Sequence, residues 1–104
     1  MAYKTSWTKT AKTDYFQIMD ILLEDWGKKS ARNFRDTVTK QINLISKMPK
    51  MYPKTEVRED VRRCVISKQV SLYYLVNQND KEIILLRFYD NRKEIRDLTE
   101  MLNP

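Results

Sequence analysis

The chain has 104 residues, a net charge of +6, one cysteine, one glycine, three prolines and no histidine. That length suits one ordinary domain, 1–104, with a modest core. The lack of histidine excludes His-based triads, His metal ligands and a His general base. A lone cysteine supplies neither an internal disulfide nor a metal set, so no cofactor is expected.

Residues 1–50 hold ten Lys/Arg against five Asp/Glu, and the remainder is nearly balanced. Such an excess favours an anionic partner (RNA, DNA or an acidic protein), although a charged surface also serves solubility alone. Met1–Trp7 carries no signal-peptide pattern and no long apolar run follows. A reducing, cytosolic setting without a membrane is expected. Scarce glycine and proline point to regular helices and strands joined tightly.

In chain order, the weak alternation of Tyr3–Trp7 predicts a short first strand. Hydroxyls between Thr8 and Thr13 suit a helix N-cap. Ala11, Tyr15, Ile18, Leu22 and Trp26 then recur at helical spacing, with Met19 and Leu23 widening the stripe. Gly27 stands where a left-handed C-terminal cap belongs. A second helix starts near Lys28–Ser30, buries Ala31, Phe34, Val38, Ile42 (or Gln41 beside it), Ile45 and Met48, and ends at Pro49. The short connection predicts an antiparallel helical hairpin. Its outer faces carry Lys12, Lys28, Lys29, Arg32, Arg35, Lys40 and Lys47, either as a solvated face or as an anion-binding one.

Pro49–Asp60 reads as a connector. Val61–Ser67, Val70–Val76 and Glu82–Tyr89 are three strands separated by breaks of hairpin length, which predicts an antiparallel meander. Alternation puts Val70, Leu72, Tyr74 and Val76 on one face of the middle strand and Ser71, Tyr73 and Leu75 on the other. In the last strand it groups Ile84, Leu86 and Phe88 against Ile83, Leu85, Arg87 and Tyr89. One sheet face packs on the helices. The other is expected to be a shallow groove on which Arg62 or Arg63, Ser71, Tyr73, Arg87 and Tyr89 lie side by side. Such a mixture of arginine and tyrosine suits a nucleic-acid surface, but also an ordinary open sheet face. Asn91 to Glu94 fits a capping box, and Ile95, Leu98 and Leu102, with Met101 beside them, predict a short C-terminal helix. Cys64, mid-strand with no base to activate it, is expected to be a buried thiol. Tyr15, Phe34 and Trp26 are expected in the core, and Trp7 at a sheet edge.

The stretch "ILLEDWGKKSARNFRDTVTKQINLISKMPKMYP" resembles the helical hairpin of the RelE/ParE superfamily of toxins. "VRRCVISKQVSLYYLVNQNDKEIILLRFYDNRKE" resembles that family's sheet, closing on Asp-x-Arg as Asp90-Asn91-Arg92. The resemblance implies an α+β toxin of a bacterial type II toxin–antitoxin module. Its partner would be a cognate antitoxin with an acidic, partly disordered tail.

The family contains two kinds of activity. RelE-like members cleave mRNA in the ribosomal A site. ParE-like members inhibit DNA gyrase by protein contact. Cleavage needs a base, stabilisation of the phosphorane and an acid, and without histidine these roles fall to Lys, Arg and Tyr. By resemblance, Arg62 or Arg63 matches the basic first meander strand and Arg92 the arginine after the last strand. Ser71 stands where a central-strand arginine belongs, and no tyrosine follows Tyr89. Arg87, Tyr73 and Tyr89 would have to substitute, in a rearranged site. A protein-directed toxin would instead use the hairpin cations Lys28, Lys29, Arg32 and Arg35. A degenerate member would only bind its antitoxin.

Overall fold

A computed structural model describes residues 2–56, 58 and 60–90. The elements are β1 (Lys4–Trp7), α1 (Lys9–Asp25), α2 (Lys28–Lys47), β2 (Val61–Val65), β3 (Val70–Asn77) and β4 (Glu82–Asp90). The C-terminal helix expected after Asn91 lies outside the described residues, as does Arg92.

α1 begins where a hydroxyl can cap it. Thr8 is extended, and its Oγ1 accepts a hydrogen bond from the Ala11 N–H at 3.0 Å. Ala11 is fully buried, and Tyr15, Ile18, Met19 and Leu22 pack against the core. Trp26 and Leu23, expected to be buried, are instead 68% and 47% exposed. The helix ends at Asp25, so the stripe runs out before Trp26, and Leu23 falls one position off the buried face. Gly27 has φ 92° and ψ 175°, positive as expected but extended rather than left-handed helical. It closes one helix and opens the next: its N–H donates to the Leu22 carbonyl, and its own carbonyl accepts from Ala31.

α2 buries Ala31, Phe34, Val38 and Ile45, with Ile42 partly covered. Met48, expected in this stripe, is the residue just past the helix and is 57% exposed.

The sheet order is β1-β4-β3-β2. β2, β3 and β4 form the expected antiparallel meander, and β1 adds a parallel strand at the β4 edge. On the helix side, Cys64, Leu72, Tyr74, Ile83, Leu85 and Phe88 meet Ala11, Phe34, Val38 and Ile45 in one core. Trp7 sits at the sheet edge against Tyr15 and Phe88, with ring centroids 5.4 and 5.5 Å away.

The grouping of β4 side chains departs from strict alternation. Tyr74 pairs with Leu85 and Tyr73 with Arg87, which leaves Leu86 as a bulge. One extra residue flips the pattern, so Phe88 joins Ile83 and Leu85 in the core and parts from Ile84 and Leu86. The bulge is held from α1. Thr8 donates its N–H to the Leu85 carbonyl at 3.1 Å and its hydroxyl to the Leu86 carbonyl at 2.8 Å. Asp14 accepts the Phe88 N–H at 3.2 Å. The backbone groups that a bulge leaves without ladder partners are thus satisfied by side chains at the start of a helix.

Candidate functional site

The strand register aligns Arg63, Tyr73 and Arg87 across β2, β3 and β4, and Val65, Ser71 and Tyr89 in the next row. The backbone therefore brings the sheet candidates together. Their side chains go separate ways.

Arg87 was expected to face outward, and this orientation is corrected. At the bulge its side chain turns towards α1. Nε donates to Asp14 Oδ2 at 3.1 Å and Nη2 to Oδ1 at 2.9 Å. The Arg87 and Asp14 side chains are 28% and 10% exposed, so the pair is largely removed from water. Arg62 is also drawn inward, its Nη1 donating to the Tyr52 carbonyl at 2.7 Å and, more weakly, to that of Lys50 at 3.4 Å. These bonds stitch the 50–56 segment to the outer edge of β2, where Lys54 and Arg62 form an antiparallel bridge.

The face away from the helices is not an open groove at its centre. Val61, Ser71, Tyr73 and Tyr89 are buried there, beside Leu75 and Leu86. The Tyr73 and Tyr89 rings meet edge to face at 6.4 Å. Burial raises the Tyr73 phenol above its ordinary range, and the nearby Arg63 guanidinium only partly opposes this. Tyr73 is therefore a neutral phenol at physiological pH, able to donate a proton but not to act as a base. Arg63 keeps an exposed position, with its Nε donating to Ser71 Oγ at 2.9 Å. Cys64 is fully buried, as expected. Its Sγ lies 3.6 Å from Gln41 Oε1, which also accepts the Tyr52 hydroxyl, and burial pushes the thiol upward. Among the described residues no cluster of three or more His, Cys, Asp or Glu could hold a metal ion.

The helical hairpin presents a different surface. Lys28, Lys29 and Arg32 are exposed on the first turns of α2. Arg35 follows, in a solvent-exposed pair with Asp36 at 3.2 Å that holds little energy. Further along the hairpin, between the first half of α1 and the second half of α2, lies a cavity of about 290 Å³ lined by Trp7, Lys12, Tyr15, Phe16, Val38, Thr39 and Ile42. Phe16 is 63% exposed. Helical spacing alone assigns Phe16 no place in the stripe, since an aromatic one position off the buried face has no core to enter. Among the described residues no helix is long and apolar enough to cross a membrane.

Comparisons with known proteins agree with this architecture. Residues 5–95 match the family model described as ParE toxin of type II toxin–antitoxin system, parDE. The chromosomal ParDE toxin–antitoxin system from P. aeruginosa aligns with a TM-score of 0.70 at 20% identity, over 86% of this chain and 96% of that one. The E. coli toxin RelE, as a mutant in the free state, gives 0.67 at 14% identity, over 98% and 92%. The YoeB/ParE toxin from Agrobacterium tumefaciens gives 0.64 at 12% identity, over 85% and 98%. No curated protein matches. At these identities the structural likenesses speak for the fold, and the match over residues 5–95 speaks for the family: the chain belongs to the ParE toxins of type II toxin–antitoxin systems, within the RelE/ParE superfamily.

Proposed function

We propose that this toxin arrests growth through a protein target such as DNA gyrase, engaged by the helical hairpin, and that a cognate antitoxin restrains it. One observation carries the reading. Two of the guanidinium groups that a rearranged nuclease site would need, Arg62 and Arg87, are committed to internal partners. The tyrosines that would join them, Tyr73 and Tyr89, are buried. The hairpin by contrast offers exposed cations at Lys28, Lys29, Arg32 and Arg35 and, further along the helix pair, an apolar cavity, which together suit an extended acidic amphipathic segment. An antitoxin tail that folds on binding has that chemistry.

The second reading, ribosome-dependent mRNA cleavage, is favoured by exposed Arg63 beside Ser71 and Tyr73, with Arg92 as its expected companion. It would use Arg87 only if the Asp14 pair opened.

Purified protein is given gyrase with relaxed plasmid in one reaction and translating ribosomes with mRNA in another. Loss of supercoiling without mRNA cleavage is the expected result, weakened when Lys28, Lys29 and Arg32 are changed together to Glu. Cleavage of mRNA that is lost in Arg63→Ala or Arg92→Ala would establish the nuclease instead. Inactivity in both reactions, with an antitoxin still bound, would leave a member that only binds its partner.

A further inference from the structure

The exposed face of α1 is charged against its own helix dipole. Its first turn holds no acid and its last turn no base. Lys9 and Lys12 stand at the positive end, Asp20 and Glu24 near the negative end. Helices are stabilised by the opposite arrangement. None of these four residues has an ion-pair partner among the described residues. The order is unfavourable within the chain and asks for a partner that reads it backwards.

A second copy of α1, run antiparallel, does so. Lys9, Lys12, Phe16, Asp20 and Leu23 follow in steps of three, four, four and three, and all are exposed. They share one helical face. The series is symmetric about Phe16: Lys12 lies four residues before it and Asp20 four after, Lys9 seven before and Leu23 seven after. Phe16 also forms part of the wall of the cavity lined by Trp7, Tyr15, Val38 and Ile42, about 290 Å³ and apolar, a volume that exceeds that of a benzyl group.

We propose that the free protein forms an isologous dimer through α1, with the two-fold axis passing beside Phe16. Each Phe16 ring enters the mouth of the partner's cavity. Lys12 of each copy meets Asp20 of the other, and the stem of Lys9 lies over Leu23 with its ammonium towards the neighbouring Glu24. A two-fold contact repeats every pair, so each complementary contact occurs twice and the opposed dipoles offset one another. An aromatic anchor in an apolar pocket, ringed by charge, is the arrangement from which interfaces draw most of their energy. The contact is small and belongs to the weak, reversible class. It does not depend on which cellular target the toxin has.

Sedimentation velocity on the purified full-length chain, from about 1 to 200 µM, tests the dimer in the range where weak contacts titrate. Wild type is expected to pass from monomer to dimer and Phe16→Glu to remain monomeric. Lys12→Glu and Asp20→Lys each lose two symmetric pairs and raise the dissociation constant about tenfold. The double variant K12E/D20K restores dimerisation to within about threefold of wild type, because the pairs re-form with reversed sign. Positions 12 and 20 are too far apart along one helix to pair with each other, so recovery reports contact between copies. Circular dichroism checks that each variant is folded. A monomeric wild type across the range, a dimer that survives Phe16→Glu, or a folded double variant without recovery would each overturn the proposal.

Discussion

Arg87 and Asp14, separated by 73 positions in the sequence, meet through two parallel hydrogen bonds, and the same carboxylate accepts the Phe88 N–H. One side chain of α1 thereby holds both the guanidinium and the backbone of β4 just beyond the bulge. Removing one partner leaves the other largely buried and unpaired. Asp14→Ala is expected to cost about 3 kcal/mol or more in urea unfolding. The double variant Asp14→Leu with Arg87→Met should lose clearly less, since no charge remains stranded. Equal losses would mean that the Phe88 bond, rather than the ion pair, holds the strand.

Alkaline pH should destabilise the fold through its buried acids. Burial raises Cys64 above its ordinary value of 9.0, and Tyr73 and Tyr74 above 10.0. Each is neutral when protonated, so above those ordinary values the unfolded chain releases protons that the native chain keeps. Stability is therefore complete below pH 9 and falls as pH rises further. Melting temperatures between pH 7 and 11 should show the decline. In Cys64→Ala it should begin about one pH unit higher, because only the phenols remain.

The backbone offers a pair of opposite tests. Gly27→Ala has nothing within 4 Å to strike, but φ is 92° there. The loss should be roughly 1–2 kcal/mol, from backbone strain alone. Lys81 adopts φ 50° in the turn before β4. Lys81→Gly relieves that conformation and should be neutral or stabilising by up to about 1 kcal/mol. The denaturation midpoint should fall in the Gly27 variant and hold or rise in the Lys81 variant.

The two tryptophans should differ sharply. Trp7 packs on Tyr15 and Phe88, whereas Trp26 is largely in water. Trp7→Ala is expected to cost about 3 kcal/mol and Trp26→Ala less than about 0.5. Fluorescence of the native protein should be red-shifted in Trp7→Phe and blue-shifted in Trp26→Phe. A blue emission from Trp26 in the free chain would mean that another surface covers it, and dilution would separate a second copy from the chain itself.

Periodicity made the hairpin and the meander readable. The α2 stripe recurs every three or four residues as far as Ile45, and β3 divides between the two faces as its alternation predicts, with Val70, Leu72, Tyr74 and Val76 on the helix side and Tyr73 and Leu75 on the other. β4 could not be read in the same way. Ile83 to Leu86 are all apolar, so no alternation marks where the strand slips by one. The slip is set by Thr8 and Asp14, far away in sequence, and the orientation of Arg87 goes with it. The parallel seat of β1 is likewise a contact between the two ends of the described chain, on which local pattern has no bearing. Trp26 misled because helical spacing continues on paper after the helix itself has stopped.

The pairing of β1 with β4 has a consequence for how the toxin is made. Lys4 lies opposite Glu82, so β1 waits for β4, the last of the described strands, to emerge from the ribosome. Closing so long a loop is entropically costly and slow. The nascent chain therefore carries its hairpin while the sheet is still incomplete, and a chain that stops short of Glu82 has no neighbour for its first strand.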